Sequence, residues 1–219
     1  MNATWIIPLG LAYFLGSVPT ALIFSQLVAR TDIRLHGDGN MGARNTARTL
    51  GWKAGWIVAG IDIGKGAGSI MLAQAFGMDT FWQMMAGGCC VLGHDFPIYA
   101  GFRGGQGLAA TLGVFFYLTP RESLYGLGAY LVLYLLTRSF DLSAGVGIGL
   151  LVLQTWRFGE PPEVVIGEIA LVLLVPIKKL LDKHQNVTLI GNAPEKEDLP
   201  AVKAEEKNGI ADKRTQQHR

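Results

Sequence analysis

The chain has 219 residues, of which 50% are hydrophobic and 16% charged, with a net charge of +2 and a mean hydropathy of +0.31. This composition excludes a nucleic-acid-binding module and places the chain among single-domain membrane proteins. Its two cysteines, Cys89 and Cys90, are adjacent inside an apolar run, which excludes a disulfide framework and a zinc cluster.

A bilayer needs runs of about 17–25 apolar residues. The first runs from Trp5 to Val28, with a kink expected at Gly16, Ser17, Val18 and Pro19. It lacks a basic leader and is too long for the core of a cleaved signal, so it reads as a retained transmembrane helix. Trp56 to Phe76 is the second span and contains Asp62 and Lys65; Phe81 to Tyr99 is the third. Leu108 to Leu118 is a short fourth, stopped by Thr119 and Pro120. Ser123 to Leu136, Leu142 to Trp156 and Val164 to Ile177 complete the set, the last followed by Lys178, Lys179, Lys183 and His184. From about Ala193 the chain is charged and poor in aromatics, which predicts a membrane domain over 1–192 and a disordered tail over 193–219.

The loops at 30–53 and 101–107, the turn around Arg138 and the region after Ile177 carry most of the lysine and arginine. The positive-inside rule puts that side in the cytoplasm. The expected architecture is therefore an all-α integral membrane protein with seven transmembrane helices, N-terminus outside and C-terminus cytoplasmic.

Two glycine-rich loops fall on that face. From Gly93 to Thr111 the sequence reads GHDFPIYAGFRGGQGLAAT, in which Gly101, Gly104, Gly105 and Gly107 free the backbone and Arg103 adds a cation. An apolar helix follows, so an anion would meet both its N-terminal N–H groups and its dipole. From His36 to Gly51 the sequence reads HGDGNMGARNTARTLG. Arg44 and Arg48 are four apart and share a helix face, able to clamp one anion, while Asn40 and Asn45 supply amides. Asp62 and Lys65 are three apart, and intramembrane charge marks either a structural ion pair or a functional site. His94 reads as a structural histidine; His184 lies past the last span, where it marks the interface or serves as a base.

These motifs together resemble the bacterial acyl-phosphate-dependent glycerol-3-phosphate acyltransferases. GSVPTALI at 16–23, HGDGNMGARNTARTLG, DIGKG at 62–66 and LGHDFPIYAGFRGGQGLAATLGV occur in the family's order, with fainter similarity through Arg138 and His184 to Asn186. The resemblance implies a multi-pass enzyme of the cell (inner) membrane with its active site on the cytoplasmic face. Its substrates would be acyl phosphate and glycerol 3-phosphate, its partner membrane lipid, and it would use no metal or other cofactor. It also implies roles. Arg48 falls at the arginine of the first motif, which usually reads GSGN-x-GATN, and Asn40, Gly42, Ala43 and Asn45 match it. Gly101, Phe102, Gly104, Gly105 and Gly107 match the phosphate loop, with Arg103 in place of a lysine. Asn186 and Gly191 match the last motif. Asp38, Arg48, His184 and Asn186 are then the catalytic candidates. Asn40, Arg44, Asn45, Lys65, Arg103, Gly104, Gly105, Gln106, Gly107, Arg138 and Asp141 are the substrate-binding ones.

Departures from the family pattern cluster at polar positions. Asp38 and Asp141 stand where serines are usual, Arg44 where a threonine is, and Gln106 where the phosphate loop has a lysine. Lys183 takes the register of the last motif's histidine, with His184 one place off. Asp38 is expected to pair with Arg44, and Asp141 with Arg138 or Arg103, because charges in a polar pocket need partners. A paralogue that binds lipid or acyl phosphate with an altered acceptor, or without acyl transfer, is the alternative reading. A small transporter is a third.

Overall fold

A chain this apolar must satisfy its backbone N–H and C=O groups within each segment, which a helix does and an isolated strand does not. In the computed structural model, which describes residues 5–190 and side chains as far as Asp182, every regular element among the described residues is helical. In chain order these are α1 Ile6–Ser17, α2 Thr20–Ala29, α3 Ala43–Leu50, α4 Trp52–Ala75, α5 Thr80–Asp95, α6 Leu108–Leu118, α7 Pro120–Thr137, α8 Phe140–Arg157 and α9 Pro162–Ile190. By length and composition, 6–29 taken together and 52–75 are long and apolar enough to cross a membrane, and Leu108–Leu118 is a shorter apolar helix. The expected tail over 193–219 lies outside the described residues.

The sheath of the bundle is apolar, with Trp56 70% and Leu136 76% exposed, the reverse of a soluble surface. Its inner core packs Ile70, Met84, Val91, Val114, Phe115, Leu151 and Leu171. Where α4 crosses α6 the backbones nearly touch. A Cβ at Gly66 would stand 2.0 Å from the Ala110 carbonyl oxygen, and one at Gly113 2.0 Å from that of Ile63. Small residues at a crossing are how helices pack closely where lipid leaves no hydrophobic drive between them.

The expected kink in the first run is a full break. Val18 is extended, at φ −61° and ψ 114°, and Pro19 has no N–H to continue a helix. Groups freed by the break are met from α4: Lys65 Nζ donates to the Val18 carbonyl at 2.6 Å, and Thr20 Oγ1 donates to Asp62 Oδ1 at 2.8 Å. Lys65 and Asp62 pair at 2.9 Å, both buried. Lys65 is thus anchored at the helix break by its ion pair with Asp62 and its bond to Val18.

At the end of the bundle where α6 stops, buried acids hold the helices together. Thr119 Oγ1 donates to Glu168 Oε1 at 2.8 Å, and Arg121 pairs with Glu122 at 2.8 Å while lying over the Phe158 ring. The two glycine-rich loops lie at the opposite end.

Candidate active site

Helix α5 stops at Asp95 because Pro97 forces the preceding residue out of helical geometry. After a single turn at Ile98–Ala100, Gly101 and Phe102 both take positive φ, at 64° and 62°, and redirect the chain towards α6. Gly104, Gly105 and Gly107 lie on His94 and Asp95. A Cβ at Gly104 would meet the His94 carbonyl oxygen at 2.1 Å, and one at Gly105 would meet His94 Nε2 at 2.1 Å. Gly107, at φ 67°, has Asp95 Oδ1 2.9 Å from its Cβ position. The Gly105 N–H donates to the His94 carbonyl at 3.1 Å, fixing the loop to this floor. His94 is itself buried, with Nδ1 3.7 Å from Asp62 Oδ1. The histidine read as structural therefore links the loop to the α1–α2 break.

Helix α6 starts without a side-chain cap, since Gly107 has none to offer. Thr111 is the first residue whose N–H reaches a helical carbonyl, that of Gly107 at 2.8 Å. The N–H groups of Leu108, Ala109 and Ala110 precede it and have no acceptor within the helix. They and the dipole of α6 point the same way, a geometry that favours negative charge. Gln106 is half-buried within this turn, and Arg103 is exposed beside it.

The first loop is organised by Asn45, which is buried at 1% exposure. Its Nδ2 donates to the carbonyls of Ile33, His36 and Asn40, at 3.3, 2.9 and 2.9 Å, and its Oδ1 accepts from the Asp38 N–H at 3.1 Å. That amide shapes the loop. Asp38 Oδ1 accepts from the Asn40 N–H at 3.2 Å, a local turn that holds the aspartate in place. Asp32 and Arg34 brace the start of the loop at 2.7 Å.

The expected pairing of Asp38 with Arg44 does not occur. Asp38 pairs with Arg48 at 3.1 Å, and Arg44 pairs with Asp141 at 2.9 Å. Asp141 is met on its other oxygen by Lys179 at 3.3 Å, in place of Arg138 or Arg103. Arg44, in the first turn of α3, leans on the Phe140 ring at 4.7 Å and so faces α8. Arg48, one turn later, reaches back over its own loop. The two arginines therefore serve separate carboxylates instead of one clamp. Burial pushes the Asp141 carboxyl up, but Lys179 and Arg44 outweigh it and hold it below the ordinary carboxylate range. Arg138 ends α7 in left-handed geometry at φ 54°.

Helix α9 contributes groups that the sequence-based set omits. Lys178 pairs with Asp182 one turn along, and its ammonium lies 5.0 Å from the Phe96 ring centroid. Asp182 Oδ2 accepts from Asn40 Nδ2 at 3.4 Å, joining α9 to the first loop. Burial raises the Asp182 carboxyl despite its lysine. Asp95, beneath Gly107, has neither carboxylate oxygen hydrogen-bonded among the described residues. The available signal was the i,i+4 spacing of Lys178 and Asp182 just past an apolar run. The helix continues through His184 and Asn186, whose side chains lie outside the described set. Asp38, Asn40, Arg44, Asn45 and Arg48 thus meet Asp141 and Asp182 at one rim, and Lys178, paired with Asp182, lies against Phe96 at the start of the glycine loop.

The family model described as glycerol-3-phosphate acyltransferase matches residues 6–188. The chain belongs to this family. Glycerol-3-phosphate acyltransferase 4 of Dehalococcoides mccartyi is 38% identical over 176 residues, covering 80% of this chain and 95% of the relative. The glycerol-3-phosphate acyltransferase of Pseudomonas putida is 38% identical over 172 residues, covering 78% and 89%. Among solved structures, the integral membrane glycerol 3-phosphate acyltransferase PlsY in its lysophosphatidic acid form is similar at a TM-score of 0.73 and 29% identity, over 85% of this chain and 93% of that one. Its glycerol 3-phosphate form gives 0.72 and 30%, over 88% and 96%. Both glycine-rich loops, α8 and α9 as far as residue 188 lie within the glycerol-3-phosphate acyltransferase match.

Proposed function

We propose that this chain is a membrane acyltransferase that moves a fatty acyl group from acyl phosphate to the 1-hydroxyl of glycerol 3-phosphate, giving lysophosphatidic acid and inorganic phosphate for phospholipid synthesis. The observation that carries the reading is the uncapped start of α6, seated by Gly104, Gly105 and Gly107 on His94 and Asp95, at the end of the bundle that also carries Arg44 and Arg48. Backbone donors at one helix start and an arginine on the neighbouring loop suit a reaction whose donor and acceptor both bear phosphate. Solved relatives in glycerol 3-phosphate and lysophosphatidic acid forms support the acceptor and the product.

In this mechanism the donor phosphate sits at the α6 N-terminus, where backbone N–H groups stabilise it as the leaving group. Arg48 takes the acceptor phosphate and sets the 1-hydroxyl against the acyl carbon. The hydroxyl oxygen forms the new ester bond, the acyl carbon–phosphate oxygen bond breaks, and phosphate departs. The hydroxyl proton has three acceptors within the reading: the Asp38 carboxylate, His184 and a phosphate oxygen of the substrate. Both pairs that now engage the arginines are about half exposed, at 52% and 47% for Arg48 and Asp38 and at 44% and 60% for Arg44 and Asp141. Surface pairs of this kind contribute about 0.2–1 kcal/mol, so a phosphate dianion displaces them readily.

The reading carries seven spans with the N-terminus outside, and both glycine loops on the cytoplasmic face of the cell membrane, from the placement of the basic loops. Purified protein in lipid nanodiscs, given acyl phosphate and glycerol 3-phosphate, is expected to form lysophosphatidic acid. Absence of turnover, together with failure to bind either substrate, refutes the assignment.

A further inference from the structure

Two neighbouring lysines on α9 have opposite fates. Lys179 is 55% exposed and reaches across the rim to Asp141. Lys178 is 3% exposed and points inward. A lysine is almost never fully buried unless it is paired, and Lys178 is paired with Asp182. The ammonium has three N–H donors; Asp182 accepts from it, and the Phe96 ring lies 5.0 Å away. Phe96 is the residue at which α5 ends and the glycine loop begins.

Phe96 follows directly on His94 and Asp95, the two residues that floor the loop, so the ammonium stands at the loop's first residue. Asp95 is fully buried, makes no hydrogen bond through its carboxylate among the described residues, and has Oδ1 2.9 Å from the Cβ position of Gly107. A buried cation thus lies at the start of the loop and an uncapped helix at its end, and the cation offsets the negative charge that the Asp95 carboxylate would otherwise bring to an anion there. Within the loop the charged side chain is Arg103, which is exposed, while Gln106 at its centre is neutral.

We propose that Lys178 is a phosphate-binding residue of the glycine loop, delivered from α9 and held ready by Asp182. The inference rests on the reading of Gly104–Gly107 as the loop that takes the donor phosphate. When phosphate arrives it competes with Asp182 for the ammonium. Asp182 keeps its hydrogen bond from Asn40 Nδ2, at 3.4 Å, and so stays in place. Because Asn40 belongs to the first loop, occupancy of the donor site is communicated to the acceptor side through one carboxylate.

The test uses the full chain in nanodiscs, with inorganic phosphate as the probe. Phosphate is measured as a competitive inhibitor against acyl phosphate and as a ligand that raises the thermal unfolding midpoint. Lys178→Met is expected to raise both the phosphate Ki and the KM for acyl phosphate about tenfold or more, the size of one charge-assisted hydrogen bond. The KM for glycerol 3-phosphate is expected to stay within about twofold of wild type. The double variant Lys178→Met/Asp182→Asn removes the carboxylate that the single change leaves buried and alone, so it folds even where the single variant does not. If Lys178 served only to neutralise Asp182, the double variant would return to the wild-type phosphate Ki, and that result overturns the proposal. A double variant still about tenfold weaker for phosphate supports it. A wild type that is stabilised by phosphate yet transfers no acyl group removes the acyl-transfer reading alone, and phosphate protection in the variants then decides the role of Lys178. A wild type that phosphate neither inhibits nor stabilises overturns both.

Discussion

Replacing Gly105 by alanine puts a methyl carbon 2.1 Å from His94 Nε2, and ordinary van der Waals contact begins at 3.4 Å. The difference, 3.4 − 2.1 = 1.3 Å, is the movement that loop and imidazole must share. His94 has little room to give: it is 8% exposed, and Gly105 is tied to its carbonyl by a 3.1 Å hydrogen bond. Most of the displacement therefore falls on the loop, and with it on the N–H groups of Leu108, Ala109 and Ala110. A misplacement of about 1 Å at a reacting centre costs on the order of a hundredfold in rate. Overpacking of this kind destabilises by about 1–3 kcal/mol. Gly105→Ala is thus expected to lower kcat/KM for acyl phosphate about a hundredfold and to lower the thermal midpoint measured in the same nanodiscs. Adding His94→Ala removes the clashing ring, and the double variant is expected to recover part of the lost stability, since residues in contact are not additive. Gly88→Ala, within α5 at a position with nothing in 4 Å of the added carbon, is the control and leaves activity intact. Wild-type kcat/KM in Gly105→Ala would refute the placement of the loop on His94.

Arg48→Ala removes the proposed ligand of the acceptor phosphate and is expected to raise the KM for glycerol 3-phosphate about tenfold or more; an unchanged KM contradicts that role. Asp38→Ser removes the carboxylate that competes for Arg48 and is expected to lower the same KM by less than about fivefold, because an exposed pair contributes under about 1 kcal/mol. A rise in KM would show instead that Asp38 helps to hold the acceptor. Lys65→Met leaves Asp62 buried and uncompensated and is expected to destabilise the fold by about 3–5 kcal/mol, with Asp62→Asn/Lys65→Met less damaged; denaturation of both variants in detergent checks the order. The Asp32 carboxyl is pushed up by burial, but Arg34 outweighs this and leaves it below its ordinary value of 3.8. Its contribution is therefore full above pH 3.8 and lost as pH falls through the lower folded value. Asp32→Asn is expected to lower the melting midpoint at pH 7 and to converge on wild type as the pH falls below 3.8; a gap that persists at low pH refutes the ion-pair account.

Apolar runs gave away the helices because hydropathy is local, and several bounds differ by only a few residues, as where α6 matches Leu108–Leu118. The break at Val18 is harder to read. A proline in an apolar run is consistent with either a kink or a break, and the choice depends on Lys65 reaching the Val18 carbonyl from a helix 47 residues later. Both glycine loops were visible as composition, but what they lie on was not. Gly105 requires His94 beneath it, a contact between residues eleven apart that spacing does not encode. The exchange of partners between Arg44 and Arg48 has the same origin: sequence proximity favoured Asp38 with Arg44, whereas the direction of α3 turns Arg44 towards α8 and Asp141. Lys178 and Asp182 looked like the ordinary basic fringe of a last helix, because burial at 3% and 8% is a property of the bundle.

The stitched break between α1 and α2 has a consequence for which helices depend on one another. Within α4, Asp62 and Lys65 neutralise each other one turn apart. What it then lacks is an acceptor for the remaining N–H groups of Lys65 and a donor for Asp62, which the Val18 carbonyl and the Thr20 hydroxyl supply. The first two helices are equally incomplete without α4, because an open carbonyl in hydrocarbon costs several kcal/mol. The three helices therefore complete one another, with His94 of α5 joining beside Asp62. The floor of the glycine loop rests on the same closed polar interior, so damage at the helix break reaches the loop through His94.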